Sequence, residues 1–107
     1  MMTHVVFMLS MPNRGSWNGK WSGEEDLYCR VRSYRKGPLL DNVLATPSHC
    51  YNFGDGWGAR VSVEECTASE KAKYNRKTKG FCGYDWMITE IEEHGRIRPY
   101  EEREASK

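Results

Sequence analysis

The sequence predicts an α+β domain, in which a small antiparallel sheet of about four strands is backed by one or two C-terminal helices. Residues 26–34 alternate between apolar and polar side chains, as in a strand with one face towards the core. Residues 48–53 and 57–65 are two further strand-like runs, joined by a Gly-Asp-Gly turn that is typical of a hairpin. In residues 84–94 an apolar stripe recurs at helical spacing, formed by Tyr84, Met87, Ile88 and Ile91.

The first strand is predicted over residues 3–11, because a short β-branched apolar run there ends at Pro12. Residues 12–24 are rich in Gly and Asn and are predicted to form a loop. In the strand over 26–34 we expect the odd-numbered side chains to meet the core. The other face, which we expect to be solvated, carries two guanidiniums between two phenols, namely Tyr28, Arg30, Arg32 and Tyr34.

Residues 35–47 contain a Gly-Pro pair near the start and a Thr-Pro pair at the end, which interrupt regular structure. Between these pairs the sequence predicts one helical turn over 40–44. In the second strand of the hairpin, Trp57 shares a face with apolar residues, so core packing is the simplest role for its indole. The opposite face of that strand is polar and is expected to be solvated. It is formed by Arg60, Ser62 and Glu64.

Residues 67–70 (TASE) match a capping box, in which a hydroxyl and a carboxylate satisfy reciprocal backbone donors. The helix that follows, to about residue 79, has little apolar stripe and is expected on the surface. The last helix, over 84–94, is expected to end at Gly95. Residues 1–107 are predicted to form a single domain, with a polar, frayed tail from about residue 99.

Composition narrows the classes of function. The 16 basic and 15 acidic residues nearly balance, so net charge gives no strong signal for nucleic acid. No stretch is long enough to span a bilayer and no secretory signal is recognisable, so we expect no membrane partner and a cytoplasmic setting. The four cysteines contain no C-x-x-C pair, so we expect no metal and no cofactor. Reduced thiols are expected, with two disulfides as the alternative in an oxidising compartment.

Aromatic side chains lie beside glycines in three short clusters, residues 15–23, 51–58 and 80–86, which hold all four tryptophans and eight of the ten glycines. A buried Trp removes a large apolar surface from water, whereas Gly is favoured where the chain turns or approaches something closely. Loops that carry both present flat, rigid rings at defined angles. We therefore expect these clusters to form a binding surface.

Catalytic motifs are weak in this sequence. His49 adjoins Cys50, but neighbours on a strand point to opposite faces, so a nucleophile–base pair is not expected. A turn explains Asp55, and a helix cap explains Asp85. No Gly-rich segment ends in the Gly-Lys-Ser/Thr of a phosphate loop. We expect a non-enzymatic protein, with a hydrolase such as a nuclease or phosphodiesterase as the minor alternative.

Ligand binding is the stronger hypothesis. Arginine forks bind phosphate bidentately, and indole and guanidinium planes stack on purine rings. The arginines of the two strands are expected on solvated faces and would cluster if those strands were neighbours. The same residue types also anchor protein interfaces. The ten candidate ligand-binding residues are Trp17, Asn18, Lys20, Trp21, Arg30, Arg32, Asp55, Trp57, Arg60 and Trp86.

Residues 16–23 (SWNGKWSG), 51–58 (YNFGDGWG) and 80–87 (GFCGYDWM) resemble segments of small uncharacterised proteins encoded by tailed phages. The resemblance covers most of residues 3–98. It implies a setting in the host-cell cytoplasm and an accessory role, such as countering bacterial immunity. The motifs have no assigned chemistry, so the resemblance gives no residue a role.

Two hypotheses follow. The first is a phage counter-defence protein that binds and sequesters a nucleotide-type immune signal, as the known nucleotide sponges do. The alternative is a protein–protein inhibitor that binds a host defence protein, as anti-CRISPRs do. The alternative is favoured by Trp17 and Trp21, which lie in a loop too polar to be core. It is also favoured by a basic run within residues 71–79 and an acidic stretch within residues 90–104, which could steer a partner of complementary charge. A homo-oligomer is compatible with either.

Overall fold

A computed structural model describes residues 2–12, 25–54, 57–75 and 82–105. Four strands form one antiparallel sheet: β1 (Met2–Pro12), β2 (Glu25–Arg35), β3 (His49–Gly54) and β4 (Trp57–Cys66). The described segments also hold four α-helices: α1 (Pro38–Ala45), α2 (Ala68–Asn75), α3 (Asp85–His94) and α4 (Tyr100–Ala105). The α+β class and the small antiparallel sheet are therefore confirmed. The helices are not all C-terminal, because α1 lies between β2 and β3 in the chain.

The strand order across the sheet is β2-β1-β4-β3. The β1–β2 register runs without a shift from the Met2–Arg35 pair to the Pro12–Glu25 pair. β1 also pairs with β4, where Ser10 lies opposite Arg60. β1 and β4 are thus the inner strands, and β2 and β3 form the two edges of the sheet.

The main core lies between one face of the sheet and the helices α1 and α3. Val5, Phe7 and Leu9 alternate along β1 and are fully buried on this face. α1 and α3 pack against each other above them. The helices contribute five apolar side chains to the same cluster: Leu40, Val43, Met87, Ile88 and Ile91.

The opposite face of the sheet is partly covered by α2, which packs over β2 and β1 and leaves Arg60 of β4 exposed. Val6 and Cys29 are fully buried on this face. β2 therefore has packed side chains on both of its faces. Alternation along β2 predicted one packed and one solvated face. The prediction of a solvated face is wrong, because α3 packs against the side that carries Arg30 and Arg32.

Local signals predicted the start of α2 and the end of α3 correctly. The backbone N–H of Thr67 donates to Glu70 Oε1 at 3.0 Å, and the backbone N–H of Glu70 donates to Thr67 Oγ1 at 3.1 Å, which confirms the capping box. Gly95 ends α3 in the left-handed region, with φ of 71°, as the sequence predicted. The predicted helical turn over 40–44 is part of the longer α1.

Other predicted boundaries are corrected or untested. The tail expected to fray after residue 99 forms α4 instead. The loop over residues 13–24 lies outside the described segments, as do residues 76–79 at the predicted end of α2. No helix in the described segments is long and apolar enough to cross a membrane.

Candidate functional site

The connection between β1 and β2 and the connection between β3 and β4 lie at the same end of the sheet. Pro12, the last residue of β1, pairs with Glu25, the first residue of β2, so residues 13–24 connect the two strands at this end. β4 runs antiparallel to β1, so its first residue, Trp57, and the preceding Gly54 belong to this end as well. We call this the loop end of the sheet. The two connections carry the first and second aromatic–glycine clusters.

The third cluster joins the described structure close to the loop end. Tyr84, immediately before α3, has its ring centroid 6.1 Å from that of Tyr28. Tyr28 lies opposite Leu9 in β1, three pairs from the Pro12–Glu25 pair. α3 then runs along β2 away from the loop end, since Asp85 contacts Arg30 and Glu92 contacts Arg32. Two of the clusters therefore join the sheet at the loop end, and the third packs beside β2 from Tyr28 to Arg30, the middle of that strand.

The structure tests only some of the ten predicted site residues. The side chains of six of them lie outside the described part of the chain: Trp17, Asn18, Lys20, Trp21, Asp55 and Trp57. The backbone of Trp57 is described as the start of β4. The other four, Arg30, Arg32, Arg60 and Trp86, have described side chains.

Arg30 and Arg32 face α3, where each contacts a carboxylate. Arg30 Nε lies 3.2 Å from Asp85 Oδ1, and Arg32 Nη1 lies 3.6 Å from Glu92 Oε2. Asp85 was expected to cap α3, but Tyr84 occupies the N-cap position, and the Asp85 carboxylate pairs with the guanidinium instead. The arginines are therefore structural ion-pair partners of α3.

Glu92 also anchors the far end of β2 and the helix α1. The hydroxyl of Tyr34 donates to Glu92 Oε2 at 2.5 Å, and Asn42 Nδ2 donates to the Glu92 backbone carbonyl at 2.9 Å. Burial of the phenol raises the pKa of Tyr34, and the hydrogen bond to Glu92 raises it further. The Tyr34 hydroxyl is therefore a neutral donor at neutral pH.

Arg60 does not join the other two arginines. β1 lies between β2 and β4, so the two strands are not neighbours. Arg60 also pairs with Ser10, which alternates with the core residue Leu9 and so belongs to the α2 side of the sheet. The condition for a cluster of three arginines, that their strands are neighbours, is therefore not met.

Trp86 is half-buried and packs against the edge of the core. The guanidinium carbon of Arg103, from α4, lies 4.2 Å from the centroid of the Trp86 ring, which is within cation–π distance. Arg103 Nε also donates to the backbone carbonyl of Arg98 at 3.1 Å. These contacts explain why the predicted frayed tail is helical: its arginine is held against α3.

A polar group that the sequence did not reveal lies under α2. His4 Nδ1 and Ser33 Oγ are 2.6 Å apart, and Lys71 Nζ donates to the same hydroxyl at 3.4 Å. Cys66 lies opposite His4 on β4, and burial of its thiol, together with the nearby Glu70 carboxylate, raises the pKa of Cys66. The thiol is therefore held in its protonated, weakly nucleophilic form.

Only strand pairing could have revealed this group, since its members are far apart in sequence.

Within the described residues, no group of three or more His, Cys, Asp or Glu side chains could hold a metal ion. Comparison of the chain with protein-family models, with curated proteins and with solved structures finds no match.

The Arg30–Asp85 ion pair leads to a first prediction. Both side chains are partly exposed, at 27% and 41%, so we expect Arg30→Ala to lower the free energy of unfolding by about 0.5–1 kcal/mol. Asp85→Ala should have a similar effect, and the double variant should lose less than the sum. Urea denaturation followed by circular dichroism measures all three. Arg60→Ala, which removes an exposed arginine, is the control; an equal loss there would contradict a specific pair.

Proposed function

We propose that this protein is a non-enzymatic phage counter-defence protein that acts in the host cytoplasm by direct contact with a host defence protein. The observation that carries the proposal is the attachment of two aromatic–glycine clusters at the loop end of the sheet, with the third packed beside β2 from Tyr28 to Arg30. Trp, Tyr and Arg are the residue types that most often anchor protein interfaces. A sheet that holds two such segments at one end, with a third along the adjoining half of β2, is suited to presenting a contact surface.

The positions of the arginines favour a protein partner over a phosphorylated ligand. A bound phosphate would have to compete with Asp85 for Arg30 and with Glu92 for Arg32. Arg60 is on the other side of the sheet and cannot add to the same phosphate site. A phosphate-binding face built from these three arginines is therefore not supported.

Sequestration of a nucleotide-type immune signal is the second candidate. It is favoured by the same arrangement, because the segment with Trp17, Lys20 and Trp21 connects β1 to β2, and Asp55 connects β3 to β4, at the loop end. Aromatic rings can stack on a base, and Lys20 can contact a phosphate. In this case the loop end would bind the ligand without the strand arginines.

The combined variant Trp17→Ala with Trp21→Ala tests the proposal. We expect tagged wild-type protein to retain a stoichiometric partner from a host lysate and the double variant to bind that purified partner at least about 30-fold more weakly, as for interface hot spots. Biolayer interferometry measures the affinities. The control Arg60→Ala, which changes a residue on the α2 side of the sheet, should bind the partner as tightly as the wild type does.

Retention of full affinity by the double variant would show that the first cluster is not the anchor. Calorimetry with cyclic dinucleotides and ADP-ribose derivatives separates the two candidates. Micromolar binding, about −8 kcal/mol, that is lost in the same double variant would replace the protein partner by the nucleotide signal.

A further inference from the structure

The two edges of the sheet differ in length and regularity. β3 has 6 residues, and its pairing with β4 is shifted between Asn52 and Gly54. β2 has 11 residues, and its register with β1 is unbroken over all of them. Short or bulged edges resist further pairing, whereas a long regular edge is a template for another strand. No strand of the described segments pairs with the outer edge of β2.

The charges along β2 are segregated. Its first residues, Glu25 and Asp26, are acidic, and its later part is basic, with Arg30, Arg32 and Arg35. When two such strands pair antiparallel, the acidic end of one lies beside the basic end of the other. Opposite charges at facing positions stabilise a pair of strands, and like charges destabilise it. The edge is therefore complementary to itself.

We propose that two copies of this chain associate through their β2 edges in antiparallel register, so that the two four-stranded sheets become one continuous sheet. A two-fold axis perpendicular to the sheet relates the copies and passes near Arg30. This register uses the full length of β2 and places Glu25 of each copy opposite Arg35 of the other. It also places Tyr28 opposite Arg32, at a spacing that allows a cation–π contact.

The charge at the axis is compensated within each copy. The two Arg30 side chains would face each other across the axis, but each is paired with Asp85 of its own α3 at 3.2 Å. The continuous sheet preserves the faces, so α3 packs on one side of both copies and α2 on the other. The interface runs along the side of the sheet and reaches the loop end only at Glu25, and its argument uses none of the aromatic–glycine clusters, so the association does not depend on the proposed function.

Charge reversal tests the register directly. Arg35 is exposed, and Arg35→Glu would place two carboxylates opposite each other at both ends of the interface. We expect a wild-type dimer in sedimentation equilibrium and a dissociation constant at least about tenfold higher for Arg35→Glu, because two facing pairs change from attractive to repulsive. The combined variant Glu25→Arg with Arg35→Glu restores opposite charges and should return the constant to within about threefold of wild type.

Arg60→Glu is the matched control, since it makes the same charge change at an exposed arginine of an inner strand. It should leave the dissociation constant unchanged. The proposal is overturned if the wild type is a monomer at about 100 μM, a concentration at which even weak specific dimers form. It is equally overturned if the combined variant fails to restore the dimer, or if Arg60→Glu weakens it as much as Arg35→Glu does.

Hydrogen exchange gives a second readout that requires no variant. In a monomer only alternate amides of β2, those directed at β1, are protected. In the dimer the intervening amides also pair, so exchange should slow along the whole of β2 as protein concentration rises. β3, the other edge, should show no concentration dependence. Equal exchange of β2 at low and high concentration would contradict the proposal.

Discussion

Phe7→Ala is expected to lower the free energy of unfolding by about 3–5 kcal/mol, the range for a large aromatic removed from a packed core. Phe7 lies on an inner strand, is 0% exposed, and packs in the cluster that joins the sheet to α1 and α3. A domain of this size has a total stability of about 5–15 kcal/mol, so the variant should be close to unfolding at 25 °C.

Urea denaturation followed by far-ultraviolet circular dichroism measures this loss. Met2→Ala is the control on the same strand, because Met2 is 45% exposed and its truncation should change stability by less than about 0.5 kcal/mol. Equal losses in the two variants, or a loss below about 1 kcal/mol for Phe7→Ala, would contradict the position of β1 at the centre of the core.

Glu90→Gln is expected to lower the free energy of unfolding at pH 7 by about 2–3 kcal/mol, because one partner of a nearly buried, charge-assisted pair is neutralised. Glu90 is 8% exposed. Its Oε1 accepts from the Arg98 backbone N–H at 3.2 Å and from Nε at 2.9 Å, and its Oε2 accepts from Nη2 at 2.9 Å. This bidentate pair ties the segment after α3 back onto that helix.

The effect of Glu90→Gln should depend on pH. Hydrogen bonds from the Arg98 side chain lower the pKa of Glu90 below its value in the unfolded chain. The carboxylate therefore contributes its full stability above the unfolded pKa and loses it as the pH falls through the folded pKa. Wild type and variant should therefore converge only once the pH has fallen below the lowered, folded-state pKa of Glu90. Glu93→Gln, at an exposed position of the same helix, is the control and should show little difference at either pH.

The sequence was most informative about helix ends, whose geometry depends on residues that are neighbours in the chain. The capping box at 67–70 and the left-handed Gly95 satisfy backbone groups within one turn of the helix, so the residues themselves determine the geometry. The four strands were also placed correctly to within a few residues. Their order was not predictable, because the pairing of β1 with β4 depends on contacts between distant parts of the chain.

The arginine face of β2 shows why the candidate site was harder to predict. Alternation identifies two faces of a strand, but it does not say which is packed when both are covered. Arg30 and Arg32 lie against the core side because α3 provides Asp85 and Glu92 as counterions. The two carboxylates are seven positions apart, two turns along one helix face, and that spacing is the signal that could have revealed the pairing.

The central position of β1 also determines when the sheet can form. β1 and β2 are close in the chain and can pair early, but the other edge of β1 must wait for β4, whose Arg60 and Cys66 lie opposite Ser10 and His4. Contacts between such distant residues slow folding. Until β4 and α3 arrive, the nascent hairpin exposes an unpaired strand edge and an apolar face, the features that make folding intermediates prone to aggregation. Synthesis past residue 94, more than the stability of the finished domain, therefore sets the interval in which this chain is most vulnerable.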